Sequence, residues 1–127
     1  MQTKKRPVFL DLQVLVRHLP VPGIVSILHR ASGVILFLMV PVLLCLLEGS
    51  LSSGEAFEAY RAFAGNALVK LVLIGVLWAF LHHLCAGIRF LFLDAHKGLE
   101  LAACRKTAKL VLAVSLSLTL ILGVALW

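Results

Sequence analysis

Four polar or small residues recur at helical spacing where a long apolar stretch begins. They are Ser26, His29, Arg30 and Gly33. Residues three and four positions apart share one face of a helix, so this face offers a hydroxyl, an imidazole, a guanidinium and a gap without a side chain. Donors close to water are what the carbonyl oxygens of a quinone headgroup require. The alternative is that Arg30 only reaches toward lipid phosphates and that Ser26 only caps the helix.

A second polar group, with His82, His83 and Arg89, lies in a later apolar stretch. Ionisable side chains are costly inside a bilayer, so each one is a candidate site. Neutral imidazole is a good axial ligand for haem iron. Gly87 lies one turn after His83 on the same face and would let a flat macrocycle approach, which favours His83 over His82 as the ligand. A histidine that only hydrogen-bonds to a neighbouring helix is the alternative.

These histidines cannot supply both axial ligands of one haem. His82 and His83 point about 100° apart on a single helix, so they cannot clamp the ring together. His29 is expected to lie too shallow to reach the iron, and to join Arg30 in meeting the anionic haem propionates at the wet edge. If a haem is bound by two histidines, the second axial histidine is therefore expected to come from a partner membrane subunit.

The composition places both polar groups inside a membrane. Of the 127 residues, 61% are hydrophobic and 14% are charged, whereas soluble domains are about 45–50% apolar and about 25% charged. Three stretches without a charge approach the ~30 Å thickness of the bilayer core, and lipid admits them only as helices. We predict an all-α integral membrane protein that forms half of a heterodimeric bundle. Its parts are an arm at 1–24 and a membrane domain at 25–127, with spans at about 25–47, 67–93 and 108–127.

The distribution of charge predicts the orientation. Segments 1–30 and 94–109 are net basic, and segment 48–66 is net acidic. Because cytoplasmic loops are rich in Lys and Arg, the N-terminus is predicted to be cytoplasmic and the C-terminus periplasmic. The basic balance therefore indicates topology and not nucleic-acid binding. The basic N-terminus is not followed by the apolar run of a signal peptide, and it is not rich in Ser and Arg like a mitochondrial presequence, so a bacterial inner membrane is expected.

Two smaller features complete the pattern. The loop after the first span is predicted to hold a short surface helix at Ser53–Phe63. Cys45, Cys85 and Cys104 are scattered, so a disulfide, a zinc site or an iron–sulfur cluster within this chain is not expected.

The two polar groups also carry a resemblance. The run Ser26–Val34 closely resembles a signature of the cytochrome b556 subunits of succinate dehydrogenase, and His83–Asp94 resembles their second signature. The opening Arg6–Leu12 is similar to their N-terminal arm. The resemblance implies a membrane anchor of respiratory complex II with no succinate or flavin site of its own. It further implies electron transport to ubiquinone, with flavoprotein and iron–sulfur subunits on the cytoplasmic side.

The resemblance also implies roles for single residues. His83 falls at the haem b axial position, Ser26 and Arg30 at the quinone site, and His29 with Arg30 near the haem propionates. The other axial histidine would come from a second, smaller hydrophobic anchor. Phe90 departs from the pattern, because many relatives carry histidine there.

Other interpretations are consistent with the same residues. Asp94 is expected either to pair with Arg89 or to pair with Lys97 at the membrane surface. The anchor of a quinol:fumarate reductase is a close rival to the succinate-oxidising complex. A small transporter or channel subunit with intramembrane histidines is a second rival, and an assembly factor with packed, unliganded histidines is a third.

Overall fold

The structure is a computed structural model, and it describes residues 19–126. Four helices make up this part of the chain: α1 (Val21–Leu51), α2 (Gly54–Ala64), α3 (Ala67–Asp94) and α4 (Leu101–Leu126). Helices α1, α3 and α4 are long and apolar enough to cross a membrane. The predicted all-α fold with three spans is confirmed. Most of the predicted arm lies outside the described residues.

Helices α1 and α4 begin earlier than the predicted spans. Helix α1 starts at Val21, with Pro22 in its first turn, where a missing N–H costs nothing because that donor has no partner inside the helix. At 31 residues it is about 46 Å long, so it extends beyond the hydrocarbon core. Helix α4 starts at Leu101, several residues before its apolar stretch. Both differences have the same cause, because a membrane helix can continue beyond the hydrocarbon core.

Helix α2 confirms the predicted surface helix. The side chain of Ser53 accepts a hydrogen bond from the backbone N–H of Ala56 at 3.0 Å, which satisfies one free donor at the start of the helix. Tyr60 packs its phenol against Gly49 at the end of α1, where any Cβ would overlap the phenol oxygen. Helix α2 is thus fixed against α1 at one surface of the bundle.

The bundle has a small core and a large apolar exterior. Its buried cluster joins the three long helices through Val25, Ala86, Ala108 and Val111, and small residues of this kind let membrane helices approach closely. On the outside, large apolar side chains such as Phe37 are exposed, in this case to 77%. Such an exterior fits lipid or another apolar protein, not water.

Candidate functional site

Two histidines and two glycines pack reciprocally where α1 meets α3. The imidazole of His83 lies over Gly33, where a Cβ would come within 2.9 Å of its Cε1 atom. The imidazole of His29 lies over Gly87, at 3.6 Å from an added Cβ. Each helix carries its histidine four residues before its glycine, and the helices run antiparallel, so each ring finds the gap on the opposite helix. The two rings stack with centroids 4.1 Å apart and planes 10° apart.

The Nδ1 atom of His83 is held by two acceptors on α1. It lies 3.0 Å from the carbonyl oxygen of His29 and 3.2 Å from Oγ of Ser32. Ser32 is buried, and its hydroxyl donates to the same carbonyl at 2.9 Å. A carbonyl oxygen only accepts, so this hydrogen bond requires the proton on Nδ1 and leaves the lone pair of a neutral ring on Nε2. Metal-binding histidines are oriented in the same way.

Phe90 borders this histidine pair on α3. Its ring meets the ring of His29 edge-on, with centroids 5.1 Å apart and planes 63° apart. The residue that departs from the resembled pattern therefore supplies an apolar edge at the site and no hydrogen bond.

The structure bears on two expectations about this site. His29 was expected to lie too shallow to reach the haem iron, and its ring stacks directly on that of His83, the expected ligand. The reason is that α1 begins at Val21, so His29 lies two turns inside the helix. Gly87 was expected to admit a flat macrocycle, but the imidazole of His29 lies over it. The gap at Gly33 is likewise covered by His83.

Ser26 and Arg30 lie one turn apart on α1. Ser26 is half-buried and Arg30 is exposed. Ser26 does not cap the helix, because the cap position is Pro20 and carries no side-chain hydrogen bond. The capping alternative for Ser26 is therefore wrong. The exposure of Arg30 makes its side chain accessible from outside the bundle.

His82 points the other way from its neighbour. It is fully buried inside the bundle, at 0% exposure, and its ring lies 5.3 Å from that of Trp78. Among residues 19–126, neither ring nitrogen of His82 nor Nε1 of Trp78 has a hydrogen-bond partner. The ring of His82 is therefore inaccessible to solvent in this structure.

Arg89 ties α3 to α4. It is 6% exposed, and its Nε donates to Oγ1 of Thr107 at 3.1 Å. Its Nη2 donates to the carbonyl oxygen and the sulfur of Cys104, at 3.2 and 3.1 Å. The expected pairing of Asp94 is wrong for the part of the chain that is described, where the one ion pair joins Arg61 to Glu58. Sequence reasoning gave no role to Ser32, Thr107 or Cys104.

Three apolar spans around a pair of interlocked histidines define an α-helical, multi-pass membrane protein with a preorganised imidazole. Residues 2–122 match the family model of the succinate dehydrogenase/fumarate reductase transmembrane subunit. The chain belongs to this family.

Curated relatives agree over nearly the whole chain. The succinate dehydrogenase cytochrome b556 subunit of Coxiella burnetii is 38% identical over 97% of this chain and 98% of its own. Its namesake from Rickettsia felis is 36% identical over 94% of this chain and 92% of its own. The protein of the same name from Paracoccus denitrificans is 33% identical over 91% and 88%. The resemblance seen in the two motifs is confirmed.

Proposed function

We propose that this chain anchors a succinate:ubiquinone oxidoreductase in the membrane. In this proposal it holds haem b jointly with a second anchor subunit and forms part of the ubiquinone-reducing site. The observation that carries the proposal is the contact of His83 with α1, in which its Nδ1 lies 3.0 Å from the carbonyl oxygen of His29. Its Nε2 is the free base that an iron ligand must be. The relatives' printed name, cytochrome b556, supports a b-type haem.

The ligand set of the described residues fits a haem better than a bare metal ion. Within residues 19–126, no three His, Cys, Asp or Glu side chains converge to hold a metal. A haem needs only axial ligands from protein, because the macrocycle supplies the rest. His83 is partly exposed while His82 is enclosed, which again favours His83. His29 cannot be the second ligand, because its ring stacks face to face on His83 and the two cannot point at one iron.

The second axial histidine therefore belongs to the other anchor subunit. The apolar exterior of the bundle supports such a partner, with side chains like Phe37 and Leu38 exposed to 77% and 59%. Those not covered by protein face membrane lipid.

Bound haem would supply a one-electron carrier beside the quinone. The residues of this chain then have separate tasks. His83 would hold the iron, and its ring is kept in orientation by the Nδ1 contacts. His29 and Arg30 would meet the propionates through N–H donors. Ser26 and Arg30 would donate to a quinone carbonyl oxygen, and the positive charge of Arg30 favours the reduced, more negative forms of the quinone.

The proposal also includes the membrane in which the chain lies, its orientation and the subunits that it binds. Charge asymmetry supports a bacterial inner membrane with the N-terminus cytoplasmic, so the iron–sulfur and flavoprotein subunits would dock where Ser26 and Arg30 lie. The fumarate-reducing direction stays the rival, since the family description covers both enzymes. The relatives' name, succinate dehydrogenase, is the observation that favours succinate oxidation.

A reduced-minus-oxidised spectrum of the purified complex tests the proposal. We expect a b-type signal that depends on His83, together with succinate-driven ubiquinone reduction. A colourless complex would indicate the transporter or channel interpretation. An uncoloured chain that binds its client only transiently would indicate an assembly factor, and either result overturns the proposal.

A further inference from the structure

A groove runs between α3 and α4, apart from the pair of stacked histidines. Its volume is about 470 Å³. The walls are apolar and include Phe92 and Leu110, while Arg89 and Lys97 line the groove near the loop between the two helices. The groove therefore has apolar walls and one positive end.

Arg89 brings a buried charge to this end without a counter-ion. It is 6% exposed. Its Nε and Nη2 donate to Thr107 and Cys104, which are uncharged, and no hydrogen bond of its Nη1 falls within residues 19–126. No carboxylate pairs with it in that part of the chain either. A buried charge without a counter-ion is costly, because neutral partners replace only part of its lost hydration.

The carboxylates of the chain leave one candidate for this counter-ion. Of the six Asp and Glu residues, five lie in the described part of the chain. Three of these five lie at the far end of the bundle, on α2 or at the end of α1: Glu48, Glu55 and Glu58. The other two, Asp94 and Glu100, lie at the same end as Arg89 but form no ion pair with it. The sixth is Asp11, which is the only charged residue between positions 7 and 16.

The segment that carries Asp11 joins the bundle at the level of Arg89. Val25 and Ala86 pack together in the core cluster where α1 meets α3. About one turn from each, toward the end at which α1 begins, lie Val21 and Arg89. Asp11 precedes the described part of the chain by eight residues, which span about 26 Å when extended. Packed helix axes are about 8–10 Å apart, so this length is enough to reach the groove.

We propose that segment 1–18 of this chain crosses the positive end of the groove, with the carboxylate of Asp11 bound to the guanidinium of Arg89. In an extended segment, Phe9 lies on the same face as Asp11, about 7 Å away. Its ring would then pack on the apolar wall at Phe92. The segment crosses the groove at the membrane surface and does not run along it, because lipid offers no partners for extended backbone.

A photo-crosslinker in the groove of the intact complex identifies the occupant. p-Benzoylphenylalanine takes the place of Phe92, which lines the groove and is exposed. After irradiation and digestion, the attached molecule is identified by mass spectrometry. We expect a peptide from segment 1–18. Asp11→Asn should lower its yield about tenfold, because the hydrogen bond between two charged groups is lost. Asp11→Glu keeps the charge and should retain most of the yield.

Matched variants separate this contact from general charge and position effects. Glu100→Gln removes an exposed carboxylate at the same end that does not pair with Arg89, and it should leave the yield unchanged. The same photo-crosslinker in place of Phe37, an exposed residue of α1 outside the groove, should not capture the segment. Capture of phospholipid or of another subunit at position 92 in place of this peptide would overturn the proposal. Equal yields in the Asp11→Asn and Glu100→Gln variants would also overturn it.

Discussion

Ser32 on α1 orients the ring of His83 on α3 through its hydroxyl group, which is itself oriented by a second hydrogen bond. Its Oγ lies 3.2 Å from Nδ1 of His83 and donates to the carbonyl oxygen of His29 at 2.9 Å. Since the hydroxyl proton is directed to the carbonyl, a lone pair of Oγ is left to accept from Nδ1. The ring of His83 is thus fixed at one nitrogen by two acceptors from the neighbouring helix.

Replacement of Ser32 by alanine tests this orientation. Ser32→Ala removes one of two acceptors, so we expect haem to stay bound with an altered reduction potential and a shifted absorbance maximum. The complex should also lose about 1 kcal/mol of stability. Potentiometric titration and thermal unfolding measure both effects. Ser50→Ala is the control, because that exposed hydroxyl only bonds to a carbonyl of its own helix. Identical potentials in the two variants would show that Ser32 does not position the ligand.

Replacement of His83 by leucine tests the ligand itself. His83→Leu removes the only imidazole that the described chain offers with an oriented Nε2, so the b-type absorbance should be lost or strongly shifted. Haem extraction and optical spectra of the purified complex check this result. The reduction potential is measured together with the spectrum, and an unchanged spectrum with an unchanged potential would refute the assignment.

Replacement of His82 by leucine should have a different effect. His82 is fully buried, and within residues 19–126 its two ring nitrogens have no hydrogen-bond partner. A buried polar group without partners costs about 1–3 kcal/mol. His82→Leu should therefore keep the haem spectrum and leave the thermal midpoint unchanged or raised. A loss of haem would transfer the ligand role from His83 to His82. A strong loss of stability would show that the ring nitrogens have partners that the chain alone does not provide.

Ser26 and Arg30 are tested by separating two activities. We expect Ser26→Ala or Arg30→Ala to lower ubiquinone reduction about 10- to 100-fold, since each loses a hydrogen bond to a reacting carbonyl. Succinate oxidation with an artificial dye should stay nearly intact, because it does not use this site. Arg61→Ala is the control, as that exposed arginine lies on the surface helix α2. Full quinone turnover in both variants would remove these residues from the site.

Local signals explain why much of the fold is predictable from the sequence. The three spans follow from charge-free apolar stretches, and the surface helix α2 follows from Ser53, whose side chain caps it at 3.0 Å. The hydrogen bonds of Arg89 to Thr107 and Cys104 are different, because they depend on how α3 and α4 pack. No spacing within one segment encodes that packing.

The contact between the two histidines could not be predicted from the sequence for the same reason. The presence of histidine at positions 29 and 83 indicates a cofactor site, but the contact between the two rings depends on the register of two antiparallel helices. One signal was available: both helices carry a histidine four residues before a glycine. When two helices with this pattern run antiparallel, the histidine of each can pack over the glycine of the other. One helix alone does not show what will cover its glycine.

The reciprocal packing leads to a ranked prediction for the glycines. A Cβ at Gly33 would lie 2.9 Å from Cε1 of His83, whereas one at Gly87 would meet its nearest neighbour at 3.6 Å. Gly33→Ala must therefore displace the His83 ring, and it should weaken haem retention and change the spectrum. Gly87→Ala makes an ordinary van der Waals contact and should behave like Gly75→Ala, where nothing lies within 4 Å. Spectra and haem-to-protein ratios of the three variants check the order, and equal effects at Gly33 and Gly75 would contradict the close approach of His83 to α1.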